Sequence, residues 1–272
     1  MTILRHANER GRLLGEGPHW HLRSVCALAV MAKASIPGKT KTRLVPPLTS
    51  GEAAALNTAF LRDAADNMLS AAALANVNGW MAYAPAGTEV FFKDHLPGSI
   101  GLLETVAPTL AECLLCAATL LLRAGYGAVC LINADSPTLP IGHLVTAATA
   151  LAAPGDRIVL GPSTDGGYYL IGTKRPHPDL FEDIAWSTDQ VFAQTLARAR
   201  TIGVPVFELP SWYDVDDAES LQTLVDELFG GKPFRAAGKP SPATWTRQYL
   251  STLIAESGLR SRIANRAAGG LP

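Results

Sequence analysis

Charge is the first thing this chain has little of. Only 17% of its 272 residues are charged, where a soluble domain commonly carries about a quarter. Twenty-three Lys and Arg against 24 Asp and Glu leave a net charge of −1, without the basic excess of a dedicated nucleic-acid binder. Cysteine is scarce too: Cys26, Cys113, Cys116 and Cys130 all sit in apolar runs. That excludes a disulfide framework and fits reduced, buried thiols in a cytoplasmic protein. Cys113-Leu-Leu-Cys116 has the spacing of half a metal site but no second pair, and reads as core packing. The histidines form no ligand set, and no Ser-His-Asp or Cys-His arrangement emerges. No apolar run reaches the roughly 20 residues of a membrane span. The strongest candidate, around Leu110 to Leu122, is interrupted by Glu112. Val25 to Ala32 followed by Ala32-Lys33-Ala34 mimics a signal peptide, but it starts late and supplies what reads as the first core strand. What the chain does have is 48% hydrophobic residues, ample for one large core and incompatible with disorder.

The patterning predicts strands over Ser24–Ala32, Gly79–Ala84, Gly127–Asn133, Arg157–Gly161, Tyr168–Gly172 and Pro205–Leu209. Between them come helices over 50–75, Thr88–His95, Pro108–Ala124 (Pro in its first turn, Gly125 past its end), from Asp135-Ser136-Pro137 through Ala152, Thr188–Arg200 and Ala218–Phe229. Residues 1–21 read as an N-terminal extension, 22–230 as the domain, and 231–272 as a C-terminal extension with one helix. Strands alternating with helices imply an α/β domain with a mostly parallel sheet, whose ligands bind at the carboxyl ends of the strands.

Three constellations fall just after predicted strands. The first is Lys33-Ala-Ser-Ile-Pro-Gly38-Lys39-Thr-Lys41-Thr-Arg43. From Gly17 to Gly51 there is no Asp or Glu, while Arg23, Lys33, Lys39, Lys41 and Arg43 supply five positive charges. If extended, Lys39, Lys41 and Arg43 would point to one side and suit a di- or triphosphate; the plain alternative is a solvated basic loop. Gly38-Lys39-Thr40 is not a P-loop, because Lys33 stands where that motif needs Gly. The second is Asn133-Ala-Asp135-Ser136-Pro137, where Asp135 either holds Mg²⁺ or Mn²⁺ against substrate phosphates or caps the next helix. The third is Asp214-Val-Asp216-Asp217, in which Asp214 and Asp216 complete the oxygen shell begun by Asp135 and Asp217 caps a helix; the alternative is capping alone. Two lesser sites are Thr164-Asp165-Gly166-Gly167-Tyr168-Tyr169, a close backbone approach to a ligand or simply a tight turn between strands, with Asp165 orienting an acceptor hydroxyl or acting as its general base, and Trp186-Ser187-Thr188, a cap or a Trp that packs on a sugar or base.

Taken in order, Lys33…Pro37-Gly38-Lys39-Thr40-Lys41-Thr42-Arg43-Leu44, Asp135-Ser136-Pro137-Thr138-Leu139, Asp165-Gly166-Gly167-Tyr168-Tyr169, Trp186-Ser187-Thr188 and Asp214-Val215-Asp216 resemble the DUF2064 family of glycosyltransferase-A-like proteins, across roughly Val25 to Phe229. The first loop and the Asp-x-Pro pattern are also similar to 2-phospho-L-lactate guanylyltransferase. Where family members carry a Gly-Asp-Leu-Gly stretch, this chain reads Ser99-Ile-Gly-Leu-Leu-Glu-Thr-Val. The resemblance implies a three-layer α/β/α, Rossmann-like nucleotide-diphospho-sugar transferase fold. It implies phosphate contacts from Lys33, Gly38, Lys39, Lys41 and Arg43, Mg²⁺ or Mn²⁺ on Asp135, Asp216 and Asp214, and an acceptor or sugar facing Asp165, Gly166, Gly167, Trp186 and Ser187. The leading expectation is a glycosyltransferase-like enzyme moving a sugar from a nucleotide sugar to a small acceptor, with Asp165, Lys39 and Arg43 catalytic. The alternatives are a nucleotidyltransferase that joins an NTP to a phosphorylated small molecule, and a non-catalytic nucleotide-binding module.

Overall fold

The computed structural model describes residues 20–231, 234 and 238–268. The expected extension over 1–21 falls outside these apart from its last two residues, and so does part of the Gly/Pro/Lys-rich patch after Phe229.

Alternation within the first strand already requires a sheet covered on both faces. In β1 (Cys26–Lys33), Cys26, Leu28, Val30 and Ala32 enter one buried cluster, and Ala27 and Ala29 enter another. β4 (Ala128–Ile132) repeats this, with Cys130 and Ile132 on the first side and Val129 and Leu131 on the second. Such strands, buried on both faces, belong to α/β sheets with helical layers. The others are β2 (Val77–Ala84), β3 (Gly101–Glu104), β5 (Ile158–Pro162), β6 (Tyr168–Thr173) and β7 (Val206–Glu208). They form one sheet in the order β3-β2-β1-β4-β6-β5-β7. Pairing is parallel except at β6, which runs antiparallel to both neighbours.

The long helix α1 (Ser50–Ala72) starts at a capping box. Thr49 Oγ accepts the Glu52 amide at 3.2 Å, and Glu52 accepts the Thr49 amide at 2.7 Å. Together with α2 (Glu89–His95), α4 (Ile141–Ala152) and α6 (Ala218–Phe229) it supplies the first buried cluster. α3 (Leu110–Arg123) and α5 (Val191–Thr201) cover the opposite face. The three-layer α/β/α expectation therefore holds.

Several boundaries differ from expectation for local reasons. β3 lies in the stretch read without an element. Pro108 is outside α3, because Thr109 forms a capping box with Glu112. α4 begins at Ile141, six residues past Asp135, so Asp135 is not its cap. α5 begins at Val191, and neither Ser187 nor Thr188 is its N-cap. The single C-terminal helix is two, α7 (Thr244–Ser257) and α8 (Leu259–Ala268), separated at Gly258, whose φ of 63° ends α7 in a left-handed turn. Leu250, Leu253, Leu259 and Ile263 of this pair are buried in the first cluster, so these helices share the core of the sheet. Among the described residues no helix is long and apolar enough to cross a membrane.

Candidate active site

The carboxyl ends of β1, β4, β5 and β7 and the start of β6 open on one edge of the sheet, where the open α/β fold places ligands. Leaving β1, the chain makes a self-braced loop. The buried Thr40 hydroxyl donates to Ala34 O at 3.0 Å and accepts the Ile36 amide at 3.1 Å. Gly38 turns the chain at φ 75°, Lys41 adopts a left-handed conformation, and Thr42–Leu44 close a 3-10 turn over buried Leu44. Lys39, Lys41 and Arg43 are therefore not an extended alternating row. They still converge: with Lys33 they line a cavity of about 300 Å³ that includes Asp135, Asp216 and Asn57. Gly38 is not in its wall; its place is fixed by backbone angle. Asn57 of α1 donates to Lys33 O and to Ser35 Oγ at 3.1 and 2.9 Å, which ties β1's end to the helix.

Lys41 departs most from expectation. Its ammonium does not stand free for a phosphate: it pairs with Asp135 Oδ1 at 2.6 Å and Asp216 Oδ1 at 2.9 Å, and donates to Val215 O at 2.8 Å. Burial alone would lower its pKa, but the two carboxylates more than offset that and hold it above its ordinary value, so it stays cationic. The alternatives left open for the acidic stretch are thereby divided. Asp217 is the N-cap of α6, in a capping box with Ser220, while Asp216 faces Lys41. Asp214 is drawn elsewhere, accepting Ser163 Oγ at 2.7 Å. Burial, helped by Asp165, Asp216 and Asp135 and opposed by the Ser163 bond, raises the Asp214 pKa to about 6.

A second cavity, about 330 Å³, adjoins the first and shares Met31, Arg43, Asp135 and Asp216 with it. Asp165, Gly167, Trp186, Ser187 and Asp214 line it, as do Asp189, Asn133 and Tyr168, to which the sequence reading gave no role of their own. Asp165 caps its own turn, accepting the Gly167 amide on Oδ1 at 2.8 Å. Gly166 is not in the wall. At φ 90° its position leaves no room for a side chain, since a Cβ would lie 2.2 Å from Asp189 O; the glycine serves chain packing, not ligand approach.

The fit of a divalent cation can be judged from the donors. Asp135, Asp216 and the Val215 carbonyl already surround one positive centre, and hard oxygens with few protein ligands are the Mg²⁺ pattern, the remainder coming from water and phosphate. Among the described residues no group of three or more His, Cys, Asp or Glu forms a metal cluster. The donors around Lys41, two carboxylates and a carbonyl, are of the kind that a divalent ion takes, while Asp214 is bonded to Ser163.

The likenesses to known proteins agree with this architecture. A crystal structure of a provisionally assigned nucleotide-diphospho-sugar transferase from Desulfovibrio desulfuricans G20 is 27% identical, with a TM-score of 0.72, over 88% of this chain and 98% of that one. CMP:2-keto-3-deoxy-manno-octonic acid synthetase complexed with CTP is 12% identical at a TM-score of 0.46, over 76% and 99%. Rv0371c from Mycobacterium tuberculosis H37Rv, solved with manganese, is 14% identical at 0.42, over 74% and 98%. These last two likenesses are loose and go no further than partial overlap. No curated protein matches the chain. The family model DUF2064, described as an uncharacterized protein conserved in bacteria, matches residues 62–188. That segment holds Asp135, Asp165 and Trp186, and over it the chain is similar to the DUF2064 family.

Proposed function

We propose that the protein is a divalent-metal-dependent transferase that moves a sugar from a nucleotide diphosphate sugar to a small acceptor. One observation carries this reading: a basic chamber and an acidic, partly apolar chamber meet at Arg43, Asp135 and Asp216. In the first, Lys33, Lys39 and Arg43 bind the diphosphate as fixed positive charges. Arg43, at the junction, stabilises charge developing on the leaving phosphate. Asp135 and Asp216 would hold Mg²⁺ or Mn²⁺, which supplies Lewis-acid neutralisation of the leaving diphosphate. Lys41, now paired with those oxygens, would add its charge to the phosphate side. In the second chamber Asp165, with Oδ1 engaged by Gly167, presents Oδ2 to take the acceptor's proton.

The assay is incubation with a panel of nucleotide sugars and NTPs, Mg²⁺ or Mn²⁺, and hydroxyl and phosphate acceptors. Acceptor-dependent release of nucleoside diphosphate is the expected product. Pyrophosphate released from an NTP would replace this reading with nucleotidyl transfer. Tight nucleotide binding without either product would make the protein a binding module.

A further inference from the structure

The second chamber has a composition that selects among acceptors. Met31, Leu110, Leu114, Leu131 and the Trp186 indole give it an apolar wall. Leu110, in the first turn of α3, is 51% exposed and offers this wall its most accessible aliphatic side chain. Facing that wall are the carboxylates of Asp165, Asp189 and Asp214, with Asp135 and Asp216 at the junction. Arg43 is the single cation lining it among the described residues, and it also faces the phosphate chamber. Two wall residues carry buried polar atoms without a hydrogen-bond partner among the described residues, Asn133 Oδ1 and the Tyr168 hydroxyl. Unmet bonding capacity of this kind costs stability unless a ligand supplies the partner.

A phosphorylated acceptor fits this chamber badly. Its dianion would face Asp165, Asp189 and Asp214, none of them paired with Lys41, and the one guanidinium there is already engaged by the donor's phosphates; like charges repel in a partly buried site. A hydroxyl or ammonium group on an apolar body meets every feature: the body covers Leu110 and Trp186 beside buried Leu114, and the polar head finds acceptors. We propose that the acceptor is an uncharged or cationic small molecule bearing a hydroxyl on an apolar body, seated against Leu110, Leu114 and Trp186. This rests on the transferase reading for the reaction but not for the binding. In the reaction, the acceptor oxygen bonds to the sugar's anomeric carbon as that carbon's bond to the diphosphate breaks. The hydroxyl proton passes to Asp165 Oδ2, and the nucleoside diphosphate leaves with the bonding pair.

The test uses the full chain and three matched probes, 4-phenylbutanol, 4-phenylbutylamine and 4-phenylbutyl phosphate, titrated by ligand-observed NMR. The alcohol and amine are expected to bind at least tenfold more tightly than the phosphate. Leu110→Asp is expected to weaken the alcohol at least fivefold while leaving inorganic pyrophosphate binding unchanged; the side chain is half exposed, and a folded variant is verified by circular dichroism. Equal or tighter binding of the phosphate ester, no binding of the alcohol, or an indifferent Leu110→Asp would overturn the proposal. So would displacement of the alcohol by free nucleosides, which would give the wall to a nucleobase. If the alcohol binds as expected but no donor is turned over in the product assay, the transferase reading fails and the binding chemistry stands.

Discussion

Lys41 keeps its charge inside the protein because three oxygens surround its ammonium, two of them carboxylate. Replacing it by Met would leave two carboxylates facing each other across a partly buried gap. Because Asp216 is 43% exposed and Asp135 28%, the cost is discounted to about 1–3 kcal/mol. Lys41→Met should therefore melt several degrees below the wild type in EDTA. Mn²⁺ should restore most of that loss while barely moving the wild type, and calorimetry should show tighter Mn²⁺ binding to the variant. A variant that melts normally in EDTA, or that binds Mn²⁺ no better, would show that the ammonium and a metal do not share these oxygens. The sequence placed Lys41 beside a phosphate because side-chain charge is visible in a sequence and its partner is not. Asp216 lies 175 positions away, and only the fold brings the two together. Asp135 and Asp216 were legible because they follow strands. Asn133 and Tyr168 were not, because a polar residue at a strand end has many plainer uses.

At the scale of elements, α7 is capped from outside itself. Its N-cap is Ala243, which has no side chain to offer, and Asp63 of α1 accepts the Trp245 and Thr246 amides at 2.9 Å each. Asp63→Ala would strand two amide donors, one buried and one partly buried, and remove a carboxylate from a helix N-terminus. A loss of about 2–4 kcal/mol follows, measurable by urea denaturation, and Asp63→Asn should recover part of it. A change within about 0.5 kcal/mol would mean that water serves those amides instead. Most elements were readable from the sequence because their periodicities were clean: two-sided burial for β1 and β4, a long amphipathic face for α1. β3 was missed because Gly-Leu-Leu-Glu is too short to show alternation, and it earns its strand from pairing with β2 over Trp80–Tyr83. The reversal of β6 is carried by its connection: the turn between Pro162 and Tyr168 is too short for a parallel crossover.

Across the whole molecule, the C-terminal helices are structural to the sheet, and the segment leading into them braces the site. Ser241 donates its amide to Thr138 O at 3.0 Å and its hydroxyl to Leu139 O at 2.6 Å, bracing the loop that carries Asp135. The Ser136 hydroxyl donates to Tyr213 O at 2.8 Å and binds the same loop to the Asp214–Asp216 segment. Four buried aliphatic side chains in α7 and α8, at about 1.5–3 kcal/mol each as an upper estimate, amount to much of a typical domain's stability. A chain ending at residue 242 is expected to lose cooperative melting and to elute as aggregate in gel filtration; a monodisperse product melting within a few degrees of the full chain would refute that. The ion pair at the centre of the site has a further effect at this scale. In many small metalloproteins the apo chain cannot fold, because bare ligands repel until the ion arrives. Here Lys41 travels with the chain and offsets one of the two charges on Asp135 and Asp216 as they come together. On the metal-dependent reading proposed above, the chain would reach its final shape before any ion arrives.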